Sequence, residues 1–417
     1  MEIELLTIGT ELLLGFTIDT NGAVLGQALA EAGLTVTRRV TVPDQAGAIA
    51  EAARGALART GAFVSTGGLG PTADDVTKKV VADLFSAPLT FRPEIWDALV
   101  ARFARFGRVP PERNRGQAEV PEGATILPNR WGTAPGLWLE GPPGLAILLP
   151  GVPGEMRGLL VQEVVPRLTS RSGGKVVCSR TVRTTAIPES SLADRLGNAE
   201  AEVAPLSLAY LPSLDGVDLR LTAWGQAPGE AAAALQRAVE LVRGRAGEWA
   251  YGEDTDDLAA IVLQEARERH LTLATAESCT GGGFGARLTS IPGSSDVFLG
   301  GVIAYDNRLK REELAVPESL LAEHGAVSEA VVRAMAEGAA RRLRADLVVA
   351  VTGIAGPGGG TPDKPVGLVY LATLAAATTI VTRQVVAGDR GEVRGRTVQL
   401  GLYQLLRRLQ AMPRPPT

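Results

Sequence analysis

Histidine is nearly missing from this chain of 417 residues, with only His270 and His324 present. A metal centre built on imidazoles is therefore excluded, and a serine–histidine–aspartate triad is poorly supported. His270 follows a charged run, Gln264 to Arg269, that reads as a helix end, and His324 precedes Gly325 at another. Any metal would be held by carboxylates, which suits Mg²⁺ or Mn²⁺. Cysteine is as scarce: Cys178 and Cys279 lie far apart, in segments that read as different domains, so a disulfide framework is not expected. Lysine occurs only at 78, 79, 175, 310 and 364, among many arginines. Arginine cannot act as a base at neutral pH, so a retained lysine hints at a place where a deprotonatable amine is useful. There is no basic excess either. The formal net charge of −4 argues against a broad nucleic-acid footprint. No apolar run is long enough to span a bilayer, and the start Met1-Glu2-Ile3-Glu4 lacks the basic flank of a signal peptide. The expectation is a cytoplasmic protein without a membrane or nucleic-acid partner.

What is present is 45% hydrophobic residues, ample for two or three domains. The first domain, 1–170, alternates strand and helix. An apolar strand over 2–9 precedes a helix from about 21 to Ala32, capped by Asp19 or Thr20. A strand runs from Leu34 to Val42, and Asp44 caps a helix to Thr60. Ala62–Thr66 is a buried strand, and so is Leu145–Leu149. This is the pattern of a parallel α/β sheet with functional loops at strand ends. The texture changes at Arg171-Ser172-Gly173-Gly174. A small α+β module over 171–250 follows, with strands over 176–185, 206–211 and 217–225 and helices near 188–199 and 229–246. A turn-rich boundary at 251–255 opens a C-terminal α/β domain, 251–417; the chain closes on a proline-rich tail, Pro413 to Pro416.

The most informative stretch lies in that last domain: Ala276-Glu277-Ser278-Cys279-Thr280-Gly281-Gly282-Gly283. It places a hydroxyl, a thiol and a glycine-rich turn between a strand (Leu271–Thr275) and a helix (from Phe284). Backbone N–H groups at such a junction suit a phosphate or an oxyanion. No Walker lysine or dinucleotide G-x-G-x-x-G completes the motif, so the chemistry has to come from nearby side chains. Downstream, Tyr305 ends a strand and Lys310 lies in a helix capped by Asp306 or Asn307. A second buried strand, 346–351, runs into Thr352-Gly353 and a glycine-rich loop, and Gly388-Asp389-Arg390 follows. Three strand ends of one sheet would converge on one crevice. A serine attacks an amide once a base removes its proton, and a desolvated lysine can be that base where histidine is absent. The oxyanion would be held by N–H groups of the 279–283 turn, and Arg390, with the Thr352-Gly353 loop, would meet a phosphate. Spacing alone does not separate Ser278 from Cys279, and Glu277 either orients Lys310 or caps a backbone group.

These segments, over about 255–410, closely resemble the nicotinamide-nucleotide amidase domain of the CinA family. The resemblance implies hydrolysis of the carboxamide of nicotinamide mononucleotide to nicotinic acid mononucleotide and ammonia. It places Ser278 on the nucleophile, Lys310 on the general base and Tyr305 on its hydroxyl partner, with Thr280, Gly281, Gly282, Thr352, Gly353 and Arg390 at the substrate and no cofactor. The family's tyrosine-serine-asparagine reads Tyr305-Asp306-Asn307 here, which makes Asp306 a modifier of Lys310.

In the first domain, Gly67-Gly68-Leu69-Gly70-Pro71-Thr72-Ala73-Asp74-Asp75 follows a strand and starts a helix, so its glycines admit a phosphate and a carboxylate beside them can hold a cation. With Thr10-Glu11, Asp19-Thr20-Asn21, Asn114 to Ala118, Gly132 to Gly136 and Pro150 to Glu155, it resembles the CinA N-terminal domain, similar to the molybdopterin-binding fold. The resemblance implies an ADP-ribose pyrophosphatase that uses a divalent metal and often K⁺. Asp74 and Glu155 are then metal ligands, and Gly68, Gly70, Lys78 and Asn21 contact the substrate. The same fold admits a non-catalytic molybdopterin- or nucleotide-binding regulatory role. A homodimer is what the family suggests.

Overall fold

The computed structural model describes residues 1–171 and 174–414. Ser172-Gly173 of the expected linker and Pro415-Pro416 of the tail lie outside the described residues. The chain divides into two compact units, Met1–Ser179 with Thr222–Leu235, and Arg180–Leu221 with Gln236–Thr417.

The N-terminal sheet has six strands in the order Thr35–Val42, Glu2–Ile8, Ala62–Thr66, Gly144–Leu149, Gly136–Gly141 and Thr125–Leu127. The first four are parallel and the last two antiparallel, so a hairpin extends the parallel sheet on one side. Both faces are covered, which is why its central strands read as unbroken apolar runs. Leu5, Val64 and Ile147 meet Leu25, Leu29 and Leu160 on one face, and Leu6, Phe63 and Leu148 meet Ala53 and Ala56 on the other. Pairing of Leu6 with Ser65, and of Thr66 with Leu149, sets three strand ends side by side. The helix Thr20–Glu31 is capped by Asp19, as expected. The helix Ala46–Thr60 has no side-chain cap, contrary to the expectation for Asp44. Asp44 accepts instead from the N–H and hydroxyl of Thr10, fastening the loop after the first strand.

The middle of the chain forms a four-stranded sheet, Ser207–Pro212, Val217–Gln226, Val176–Thr184 and Ala250–Glu253, with helices Glu189–Leu196, Ala199–Glu202 and Pro228–Ala246.

The C-terminal sheet runs Phe298–Ile303, Leu273–Glu277, Leu347–Gly353, Leu368–Ala375, Thr378–Val385. Its first three strands are parallel and the last two antiparallel. Leu273, Val349 and Leu371 pack on Leu402 and Leu405 of the helix Arg390–Gln410, while Ala276, Val348 and Ala350 pack on Val332, Met335 and Ala339 of the helix Glu329–Leu343. Glu277 pairs with Ile303 on one side and Val351 on the other, so Ser278 and Ala304 leave the sheet beside Thr352, near the end of the strand Leu347–Gly353. Among the described residues no helix is long and apolar enough to cross a membrane.

Candidate active site

Ser278 follows the strand Leu273–Glu277 and its N–H is held by the Val351 carbonyl of the central strand at 3.1 Å. Its side chain keeps 8% exposure, and its Oγ takes part in no hydrogen bond among the described residues. The serine does not cap the helix Gly283–Thr289. Glu277 does that, from a fully buried position. Its carboxylate accepts from the Thr280 hydroxyl at 2.8 Å and from the N–H groups of Gly282, Phe284 and Gly285 at 3.0, 3.1 and 2.9 Å. A negative side chain at a helix N-terminus is favoured by the dipole and by the orphan donors there.

This capping narrows the choice of oxyanion donors. Gly281 N–H goes to the Ser278 carbonyl and Gly283 N–H to that of Thr280, and Gly282 N–H is on Glu277. Of the turn expected to hold an oxyanion, only the N–H groups of Cys279 and Thr280 have no carbonyl or carboxylate acceptor among the described residues; both lie beside the Cys279 sulfur. Gly281 and Gly282 serve the turn by their backbone shape, with φ of 58° and 95°, a region that side-chain-bearing residues rarely adopt. The Thr280 carbonyl is fixed by Arg394, whose Nη2 donates to it at 2.7 Å.

Lys310 is 1% exposed. Burial holds its amine below the ordinary lysine value, while the Asp306 carboxylate and Cys279 work in the opposite direction. Asp306 also caps the helix Asn307–Leu314 by accepting from Arg308 N–H. Lys310 Nζ donates to the Tyr305 main-chain carbonyl at 3.0 Å. The Tyr305 side chain is 58% exposed, and its hydroxyl accepts from Arg390 Nη2 at 3.0 Å. The expected hydroxyl partner of Lys310 thus meets it through the backbone, with the phenol engaged elsewhere. Arg390 Nη1 donates to the Gly356 carbonyl at 2.7 Å. Its helix, Arg390–Gln410, opens with an Asp389/Glu392 capping box, and a cleft of about 710 Å³ lined by Ala355, Pro357, Val366 and Gly388 to Gly391 lies at that end.

Thr352 is buried and its hydroxyl donates to the Ala326 carbonyl at 2.8 Å, a structural bond. Gly353 sits where a Cβ would come within 2.6 Å of Val369 and 3.1 Å of Cys279 Sγ. Burial pushes the Cys279 thiol up to about 12, although the N–H groups of Cys279 and Thr280 beside it favour the thiolate. A thiol held so high is a poor nucleophile at neutral pH. Arg394 escaped the sequence reading. The available signal was its place one helical turn after Arg390, behind a legible capping box.

In the N-terminal domain, Gly67 and Gly68 leave the strand with positive φ, and a Cβ on Gly68 would lie 2.0 Å from Thr77 Oγ1. Asn21 donates to Thr66 Oγ1 at 3.2 Å and to the Gly151 carbonyl at 2.7 Å, so two of the expected loops, at Asn21 and at Gly151, meet at the end of the strand Ala62–Thr66. Asn21 Oδ1, Ser65 Oγ and Thr77 Oγ1 are buried and have no hydrogen-bond partner among the described residues. Gly70 lies against the Asp75 carboxylate, which accepts from Thr72 N–H at 2.8 Å. Lys78 donates to the Gly116 carbonyl, and burial lowers its pKa to about 8. Asp74 is exposed, and the Thr72 hydroxyl holds its carboxyl below the ordinary value. Glu155 accepts from Asn129 at 2.5 Å, and burial pushes its carboxyl above the ordinary value. Among the described residues no group of three or more histidine, cysteine, aspartate or glutamate side chains comes together around one ion position.

Comparison with known proteins matches residues 4–170 to the "Probable molybdopterin binding domain", 179–252 to the "Damage-inducible protein CinA KH domain" and 255–409 to the "CinA C-terminal domain". The KH likeness of the middle module was not read from sequence, although its strand–helix–helix–strand–strand–helix order carried the signal. Its helix–helix turn, Gly197-Asn198-Ala199-Glu200, has one glycine where the nucleic-acid clamp of KH folds has two. A "CinA-like protein" of Gemmatimonas aurantiaca is 52% identical over 98% of this chain and 96% of its own length, and one of a Synechococcus species is 44% identical over 98% and 97%. The crystal structure of a competence/damage inducible protein from Agrobacterium tumefaciens shares 43% identity over 37% of this chain and 93% of that one, with a TM-score of 0.36. The molecule is a mixed α/β protein with a molybdopterin-binding-like N-terminal domain, a KH-like module and a CinA C-terminal domain, and, with relatives of this identity along nearly its whole length, it belongs to the CinA family.

Proposed function

We propose that the C-terminal domain is a nicotinamide-nucleotide amidase, releasing ammonia from nicotinamide mononucleotide. The observations that carry the reading are an uncommitted Ser278 hydroxyl just after the strand Leu273–Glu277 and, past the end of the neighbouring strand Phe298–Ile303, a buried Lys310 whose amine is held below its ordinary pKa and donates to the Tyr305 carbonyl. Neutral Lys310 takes the serine proton as Oγ bonds to the carboxamide carbon. The resulting oxyanion lies against the N–H groups of Cys279 and Thr280. Collapse breaks the carbon–nitrogen bond, and protonated Lys310 passes its proton to the leaving nitrogen, which departs as ammonia. Water then attacks the acyl ester, gives a proton to Lys310 and frees the acid, while Lys310 returns a proton to Ser278. The scheme requires no metal. Arg390 receives the phosphate at the far end of the substrate, with its guanidinium at the cleft. The test is ammonia release by wild type, Ser278→Ala, Cys279→Ala and Lys310→Ala, with and without EDTA. Activity lost only in the serine and lysine variants and indifferent to EDTA is expected. Loss in Cys279→Ala with Ser278→Ala still active would move the nucleophile by one residue.

For the N-terminal domain, the unpartnered buried atoms of Asn21, Ser65 and Thr77 favour a ligand site. Hydrolysis of ADP-ribose is the reading we attach to it. Asp74, exposed and held ionised, fits Mg²⁺ or Mn²⁺ together with substrate phosphates and waters, the usual company of Mg²⁺. Glu155 does not fit in its present bonding to Asn129. The metal would polarise the phosphoryl oxygens, and K⁺ would add charge there. ADP-ribose hydrolysis abolished by chelator and by Asp74→Ala supports this reading. Binding of ADP-ribose without turnover would leave a regulatory nucleotide- or molybdopterin-binding domain.

A further inference from the structure

We propose that Arg390 and Tyr305 form a phosphate-sensitive latch that makes turnover at the amidase site, and not only binding, depend on the substrate's phosphate; this rests on the amidase reading above. Lys310 Nζ holds the Tyr305 carbonyl at 3.0 Å, so the tyrosine main chain is anchored beside the amine. The exposed side chain reaches away, and its hydroxyl is parked on Arg390 Nη2 at 3.0 Å. The hydroxyl has no other hydrogen bond among the described residues, so Arg390 alone holds it. Arg390 is in turn the guanidinium that faces the cleft, and its second nitrogen stays on Gly356.

A phosphate dianion is a far better guanidinium partner than a neutral phenol, because both members of the pair are charged and the contact can be bidentate. A phosphate arriving in the cleft therefore takes Arg390 Nη2 and releases the hydroxyl. An exposed tyrosine changes rotamer at little cost, and its anchored backbone keeps it within a side-chain swing of Lys310. The freed phenol then joins the amine that activates Ser278. A substrate without the phosphate leaves the latch closed. Only the fraction of molecules with the tyrosine free is then competent, and one hydrogen bond to a charged group sets that fraction at roughly one in ten to one in a hundred. The loss falls on kcat, in addition to any rise in KM.

The experiment compares ammonia release from nicotinamide mononucleotide and from nicotinamide riboside, the latter with inorganic phosphate titrated in. Wild type is expected to turn over the riboside with kcat about 10- to 100-fold lower, and added phosphate should raise that kcat saturably. Arg390→Met removes the partner that parks the hydroxyl, so its riboside kcat should rise toward the phosphate-stimulated wild-type value, and phosphate should no longer raise it. Tyr305→Phe should also abolish the stimulation. If Arg390 only binds the phosphate, added phosphate will not accelerate the riboside, and the latch is refuted while the amidase stands. Equal kcat for the two substrates, or stimulation that persists in Arg390→Met, refutes it too. No ammonia from the mononucleotide refutes the amidase reading itself.

Discussion

Removing the Glu277 carboxylate should loosen the nucleophile turn without emptying the core. Its two oxygens divide their work: one accepts from Thr280 Oγ1, Gly282 N–H and Phe284 N–H, the other from Gly285 N–H and, at 3.3 Å, Thr275 Oγ1. In Glu277→Gln the amide oxygen can keep the first set. The new NH₂ then confronts Gly285 N–H, donor against donor, while the Thr275 hydroxyl can turn to accept. One charged hydrogen bond is lost and the others become neutral, a cost of about 1.5–3 kcal/mol. In Glu277→Ala all of these donors lose their acceptor, and at the buried Phe284 N–H water is a poor substitute, so about 3–5 kcal/mol is expected. Hydrogen–deuterium exchange of the segment 273–289, read by mass spectrometry on the intact protein, reports this directly. Each 1.4 kcal/mol taken from local opening speeds exchange about tenfold, so the glutamine variant should exchange about 10- to 100-fold faster. Nicotinamide mononucleotide turnover should fall chiefly in kcat, because Cys279 and Thr280 N–H belong to the same turn. Exchange in both variants within threefold of wild type would show that the carboxylate does not hold the turn.

On the proposed amidase mechanism only neutral Lys310 accepts the serine proton, so kcat/KM should rise with pH through the lysine's lowered pKa. Asp306→Asn keeps the helix cap but removes a charge that holds this pKa up, and the rising limb should move to lower pH in a pH–rate profile. Lys78 releases its proton near 8 in the folded chain and at the ordinary 10.5 when unfolded, so the unfolded state binds more protons between these values. Stability should therefore rise with pH across that window by up to about 3 kcal/mol. Lys78→Met should flatten the rise in urea denaturation. With its thiol pushed up to about 12, native Cys279 should resist iodoacetamide at pH 8, and Cys279→Ala should retain amidase activity. Rapid alkylation with loss of turnover would contradict that assignment.

Much of the fold was legible because local chemistry and global packing agreed. Ala62–Thr66 is a strand with the bounds its apolar run and following glycines announce, and Asp19 caps the helix that follows it. Asp44 was misread as a cap because propensity sees only neighbours in sequence, and Thr10 competes for the carboxylate from across the sheet edge. The two antiparallel strands, Leu368–Ala375 and Thr378–Val385, carried no hairpin signal at all. Their turn is Ala376-Ala377, with φ of 48° and 59°, where glycine or asparagine would have marked it. The site residues were legible as types on loops. Their commitments were not, since Tyr305 and Arg390 are distant in sequence and the acceptor for three turn N–H groups is the glutamate just before the nucleophile.

That last commitment settles what the glycine-rich turn can do. A strand-to-helix turn rich in glycine invites comparison with phosphate cradles, in which free N–H groups and the helix dipole meet an anion. Here the helix N-terminus already carries a buried carboxylate, and a phosphate brought to the same donors would meet it at the cost of like-charge repulsion. On the proposed reading the substrate's phosphate is therefore met elsewhere. The helix Arg390–Gln410 is itself capped by Asp389 and Glu392, so what it offers a phosphate is the Arg390 guanidinium at the cleft. Reacting carbonyl and phosphate then fall, in the proposed amidase, on different loops, joined through Tyr305, whose carbonyl accepts from Lys310 and whose hydroxyl accepts from Arg390. A substitution that moves Glu277 should alter chemistry with little effect on phosphate affinity, and one at Arg390 should alter phosphate dependence with the acyl-transfer groups intact.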